Sequence, residues 1–179
     1  IVEMATGLLF VFTWFQFIHL GVAVTILYLI VVSIFLAMFA TDLKYQIILD
    51  ELQLLLFFVS FGLLYLLNSP SLLDYIERLV FAFVAMFPLL SLFLITKGKG
   101  MGFADVKLVF ILGFLFGLKL GFLIIYLAFI SGGIVGFYLL VTGAKDRKSK
   151  IAFGPFIIVS TFVVLYNQDF FMRLLTKFL

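Results

Sequence analysis

Long apolar runs, broken by short clusters of charge, glycine and proline, set the pattern of this chain. A helix crossing a bilayer takes about 20 apolar residues. With the polar clusters as boundaries, the pattern predicts seven spans, at residues 4–18, 21–41, 47–67, 74–96, 103–118, 120–142 and 151–167. The first and fifth are short, the boundary at His19–Gly21 is weak, and the turn at Gly117–Gly121 is tight. The expected fold is all-α, a polytopic transmembrane helical bundle of about seven spans forming one domain over residues 1–179. The tail "QDFFMRLLTKFL" alternates charge with bulky apolar residues and reads as an amphipathic helix lying in the membrane interface.

Composition supports the membrane reading. Of 179 residues, 66% are hydrophobic and 12% charged, against about 45–50% and about 25% in a soluble domain. There is no cysteine, so disulfides, thiolate nucleophiles and thiolate zinc sites are excluded within this stretch. The chain opens on Ile1 in "IVEMATGLLF", which reads as the interior of a longer protein rather than a signal peptide. The net charge of +3 is a topology signal, not a nucleic-acid surface. Seven spans put Lys44, Lys97, Lys99, Lys107, Lys145, Arg147, Lys148 and Lys150 on one side, and Arg78, Lys119, Arg173 and Lys177 on the other. The positive-inside rule makes the first side cytoplasmic, and "NSPSLL" an external turn.

Two carboxylates then stand out. Asp42 closes an apolar run in "LAMFATDLKYQIILDEL", and Asp105 opens one in "KGKGMGFADVKLVFILGF". A carboxylate at the edge of hydrocarbon is costly, and by default it is functional. The charge count places both on the same cytoplasmic rim. Around Asp105, Gly98, Gly100 and Gly102 allow close backbone approach, and the start of a helix favours a negative charge. The plainer role for Asp105 is a helix N-terminal cap. Asp50 and Glu51 read as loop charges that stop translocation. Lys44 and Lys107 repeat a D-x-K spacing; each either snorkels to the interface or anchors a lipid phosphate or an acidic stretch of substrate. His19, the single histidine, falls at the predicted external turn, so no histidine metal site or triad is available. Gly132, Gly133 and Gly136 are expected to be helix-packing sites.

These two motifs resemble those of the type IV prepilin peptidases, membrane aspartic proteases of the GxGD type. In that family one aspartate precedes an IP[ND]xL segment and the other lies in G-M-G-x-G-D-x-K-L. The matching stretches here are Asp42 with "IILDEL", and Asp105 in "GMGFADVKL"; "VEMATGLLF" around Glu3 and "AFGPF" at 152–156 match as well. Two positions depart from the pattern: Ala104 stands where the family has glycine, and Leu49 where it has proline.

The resemblance implies a transmembrane peptidase domain in the inner membrane of a prokaryote. It would cut the short basic leader of a prepilin-like membrane protein substrate after glycine, before its apolar helix. Asp42 and Asp105 would be the catalytic pair, sharing one proton and titrating as a unit. Gly102, Ala104, Lys107, Lys44 and Glu3 would be substrate-binding or supporting residues. Glu3 is either substrate-side or methylation-linked, or a plain solvated carboxylate. The partners are that substrate and the lipid bilayer. No metal and no cofactor is expected for hydrolysis. S-adenosylmethionine enters only if a region preceding Ile1 confers N-methylation. The competing reading is an ion-coupled transporter with Asp42 and Asp105 as proton or cation sites.

Overall fold

The computed structural model describes residues 2–98, 100–143 and 152–178, with the side chains of Val2, Ala5 and Phe178 left out. Lys99, Lys145, Arg147, Lys148 and Lys150, five of the basic residues assigned to the cytoplasmic side, lie outside the described residues. The described elements are helical: α1 (Val2–Phe17), a single 3-10 turn (Ile18–Leu20), α2 (Val22–Tyr45), α3 (Asp50–Asn68), α4 (Leu72–Thr96), α5 (Phe103–Val141), α6 (Gly154–Tyr166) and α7 (Gln168–Phe178).

Helix ends follow local chemistry. Ser71 and Asp74 form a reciprocal capping box at the start of α4: the Asp74 amide donates to the Ser71 hydroxyl (3.3 Å), and the Ser71 amide donates to the Asp74 carboxylate (2.7 Å). α2 ends where Gln46 turns left-handed (φ 55°) and returns its amide to the Asp42 carbonyl, 2.9 Å away. α5 is interrupted at Gly117, with φ 77° and ψ 178°. A Cβ built on Gly121 would lie 3.2 Å from the Gly113 Cα. Eight residues of straight helix would separate those positions by about 12 Å. The chain therefore folds back at Gly117, and residues 103–116 and 118–141 pack against each other as a hairpin.

The count of seven spans is not confirmed. Four helices, α2 to α5, are long and apolar enough to cross a membrane, or five if α6 and α7, bent by 86°, form one broken span. The difference lies in length: α1 has 16 residues and α6 has 13, and the arm of α5 before Gly117, residues 103–116, is also short of the about 20 a crossing takes. The tail is helical, as the alternation predicted.

The N-terminal arm of α5 is the centre of the bundle. Val106, Leu108, Val109, Leu112 and Phe114 are all sealed from the surface. It packs on α4 through small residues. A Cβ on Gly113 would sit 2.8 Å from the Ala85 Cβ and 3.0 Å from the Ala82 Cα, so only glycine permits this approach. The glycine cluster predicted for packing behaves differently. Gly132 has Phe156 and Phe153 at ordinary contact distance, and Gly133 faces open space. α1 is held at the far end, where Phe17 stacks on Tyr28 (3.8 Å between centroids) and the Thr13 and Tyr166 hydroxyls share a hydrogen bond (2.7 Å). This scaffold leaves the end of α2, the start of α5 and the start of α6 converging on one point.

Candidate active site

Asp42 lies in the last turn of α2 and Asp105 in the first turn of α5. Both are buried, at 5% and 6% exposure. They line the same cavity, of about 290 Å³, together with Gln46, Ile48, Gly98, Gly100, Met101, Gly102, Ala104, Ala152 and Phe153. The Asp42 carboxylate is within electrostatic range of Asp105. Two acids 63 positions apart in sequence thus line one cavity between three helix ends.

Each carboxyl is set differently. Asp105 is the third residue of its helix and reaches back, so that Oδ2 accepts the Gly102 amide at 3.1 Å. The capping role is therefore real, and it uses one oxygen of the carboxyl. Its turn is also held from α3: Gln53, 3% exposed, donates from Nε2 to the Ala104 carbonyl at 2.7 Å. Asp42 abuts the start of α6. A Cβ on Gly154 would lie 2.3 Å from Asp42 Oδ2, so the carboxyl occupies the room that the missing side chain leaves. The Gly154 amide faces it, as the positive end of a helix suits an acid, but among the described residues the buried Oδ2 has no hydrogen-bond partner. A buried polar atom left unpaired costs about 1–3 kcal/mol, more when charged.

The two departures from the GxGD pattern are accommodated. Ala104 is helical and is not among the residues with positive φ, so its methyl strains nothing. Leu49 has φ −70° and ψ 129° at the start of α3, the φ that proline would fix.

Of the other predicted site residues Gly102 and Ala104 line this cavity, and Lys107, Lys44 and Glu3 do not. Lys107, two residues from Asp105 and so on another face, pairs with Asp50 of α3. Asp50, expected to be a solvated loop charge, is 70% exposed but begins α3 and forms this ion pair. Lys44 is exposed, its ammonium 4.9 Å from the Tyr45 ring centroid. Glu3 is exposed in the first turn of α1 and does not line the cavity. His19 lines a separate cavity with Tyr28 and Asn167. Gln53 and Gly154 were not among the predicted site residues. The one sequence signal for Gln53 is a lone amide inside an apolar run, and for Gly154 its place in "AFGPF".

Residues 29–137 match the type IV leader peptidase family, and both aspartates fall inside the match. The chain belongs to that family. Three curated relatives are similar to this leader peptidase family member, each a prepilin leader peptidase/N-methyltransferase. It is 34% identical to that of Xanthomonas campestris pv. campestris over 143 residues, covering 76% of this chain and 48% of the relative. With the Stutzerimonas stutzeri protein it shares 31% identity over 140 residues, 75% of this chain and 47% of the relative. With the Pseudomonas aeruginosa protein the identity is 30% over 149 residues, 80% and 50%. The chain spans about half the length of the curated relatives it matches. No solved structure matches it.

Proposed function

We propose that this leader peptidase family member is a membrane-embedded aspartic endopeptidase that removes the leader of type IV prepilin-like subunits, with Asp42 and Asp105 as a water-activating dyad. The observation that carries the reading is the burial of both carboxyls in one cavity beneath a glycine-rich loop. The reaction requires a base and an acid. The ionised member of the pair takes a proton from a water molecule, whose oxygen bonds to the scissile carbonyl carbon. The protonated member donates to the carbonyl oxygen, and the tetrahedral intermediate then loses the amine as the C–N bond breaks and nitrogen accepts a proton. Acid and base roles belong to the pair, not to either residue. The unpaired buried Oδ2 of Asp42 suits a pair that holds a shared proton or a water.

The domain is proposed to sit in the inner membrane of a prokaryote with this cavity at the cytoplasmic face, where a substrate with a basic leader and an apolar helix would present its scissile bond. Membership of the leader peptidase family favours hydrolysis over the ion-coupled transport reading. The proposal covers hydrolysis alone; no methyl-transfer step is derived from these residues. Among the described residues no cluster of three or more histidines, cysteines or acids is arranged to hold a metal.

The test is cleavage of a prepilin-type substrate by the purified chain in proteoliposomes. Asp42→Asn and Asp105→Asn should each lose the activity by at least about a hundredfold while keeping the helical signal of wild type. Wild-type cleavage by either variant would remove the dyad from the mechanism.

A further inference from the structure

A second cavity, of about 730 Å³, lies between α3, α4 and the N-terminal arm of α5. It adjoins the aspartate cavity, and Phe103 lines both. Gln53, which holds the Ala104 carbonyl, is part of its wall. From Asp50 to Phe57 on α3, and from Phe103 to Phe110 on α5, the groove runs seven residues into the bundle, about 10 Å. Its deep part is apolar, formed by Leu54, Phe57, Phe83, Met86 and Phe110. Its mouth is charged: Glu51 is exposed there beside the Asp50–Lys107 pair.

We infer that this groove is the docking site for the apolar helix of the substrate, with its mouth, net negative through Glu51 beside the Asp50–Lys107 pair, facing the basic leader. The inference rests on the peptidase reading of the adjoining cavity and adds where the substrate lies. Apolar contact alone does not drive helix association in lipid, since lipid tails are equally apolar. What distinguishes this groove from any lipid-facing cleft is its continuity with the buried carboxyls and the charge at its mouth. A helix seated along about two turns of wall brings the residue just beyond its end to Phe103, next to Asp105. Large side chains of one helix face fill such a groove, with aromatic walls as anchors.

The native chain has no cysteine, so single cysteines report contacts without background. Phe83→Cys and Leu54→Cys place a thiol in the groove. Leu8→Cys places one on α1, which is 70% exposed at that position and does not line the groove. A prepilin-type substrate with one cysteine in the first two turns of its apolar helix is then oxidised with each variant in membranes. The groove positions should form the mixed disulfide at least about tenfold more than position 8, and Met86→Trp should raise KM about tenfold with kcat kept. Cleavage-competent protein that cross-links equally at position 8, or whose KM ignores Met86→Trp, overturns the docking site and leaves only lipid in the groove. Absence of cleavage by the wild type, with cross-linking at positions 83 and 54 intact, overturns the peptidase reading instead and leaves the docking site standing.

Discussion

Gly154→Ala isolates the contact between α6 and Asp42. The new methyl carbon would fall 2.3 Å from Asp42 Oδ2, 3.1 Å from its Cγ and 2.8 Å from Ile48 Cδ1. Ile48 presents the end of a flexible side chain and can rotate. The Asp42 carboxyl is two bonds from a helix backbone and has little room to yield. Ordinary carbon–oxygen contact begins at about 3.3 Å, so the carboxyl must retreat by about 1 Å. Overpacking of this kind costs about 1–3 kcal/mol, while alanine in place of a helical glycine returns about 0.5–1 kcal/mol. The net change in stability is then about 0–2.5 kcal/mol. A 1 Å misplacement of a catalytic group lowers the rate by about a hundredfold, so activity should fall far more than stability. The assay pairs initial cleavage rates in proteoliposomes with thermal unfolding of the same samples. Gly132→Ala is the control, because its methyl meets Phe156 at 3.4 Å, an ordinary contact, and its rate should stay within about twofold of wild type. A Gly154→Ala protein that cleaves as fast as wild type would refute the placement of Asp42 at the chemistry.

Three further substitutions test the supporting structure. Gln53→Leu removes the donor to the Ala104 carbonyl and also the orphaned Oε1, so stability should shift by no more than about 1 kcal/mol, whereas kcat should drop about tenfold as the Asp105 turn loosens; an unchanged kcat would show that this tie does not position Asp105. Ala104→Gly restores the family residue in a helical turn, so unfolding should come about 0.5–1 kcal/mol earlier with no gain in rate; a several-fold faster enzyme would mean that the methyl obstructs the site. Leu49→Pro places proline where φ is already −70° and should raise stability by about 0.4–1 kcal/mol, measured by thermal unfolding; a destabilised protein would show that the Leu49 side chain or amide matters more than its backbone angle.

Much of the candidate site was legible because charge is so costly in an apolar chain. Asp42 and Asp105 interrupt long hydrophobic runs, and the structure places both at helix ends facing one cavity. The boundary near Gly117 was legible too, since glycine supplies the φ of 77° at the reversal. Span number was not legible in the same way. A run of apolar residues does not reveal whether it crosses a bilayer, and α1 and α6 are helices too short to do so alone. Gln53 and Gly154 were missed because their roles exist only through contacts 51 and 112 positions away, with Ala104 and Asp42. Lys107 followed geometry rather than charge: two residues beyond Asp105 it turns to α3 and meets Asp50 instead of the cavity. The alanine at position 104 departs from the family pattern in sequence, yet its helical backbone removes the reason for concern.

The central claim is that Asp42 and Asp105 act as one unit, and the most direct measurement compares the two single asparagine variants with the double. Residues that work together are strongly non-additive, so each single variant should leave the same residual cleavage rate as the double. A double variant slower than either single by the product of their separate losses would mean two independent contributions, and the dyad would have to be abandoned.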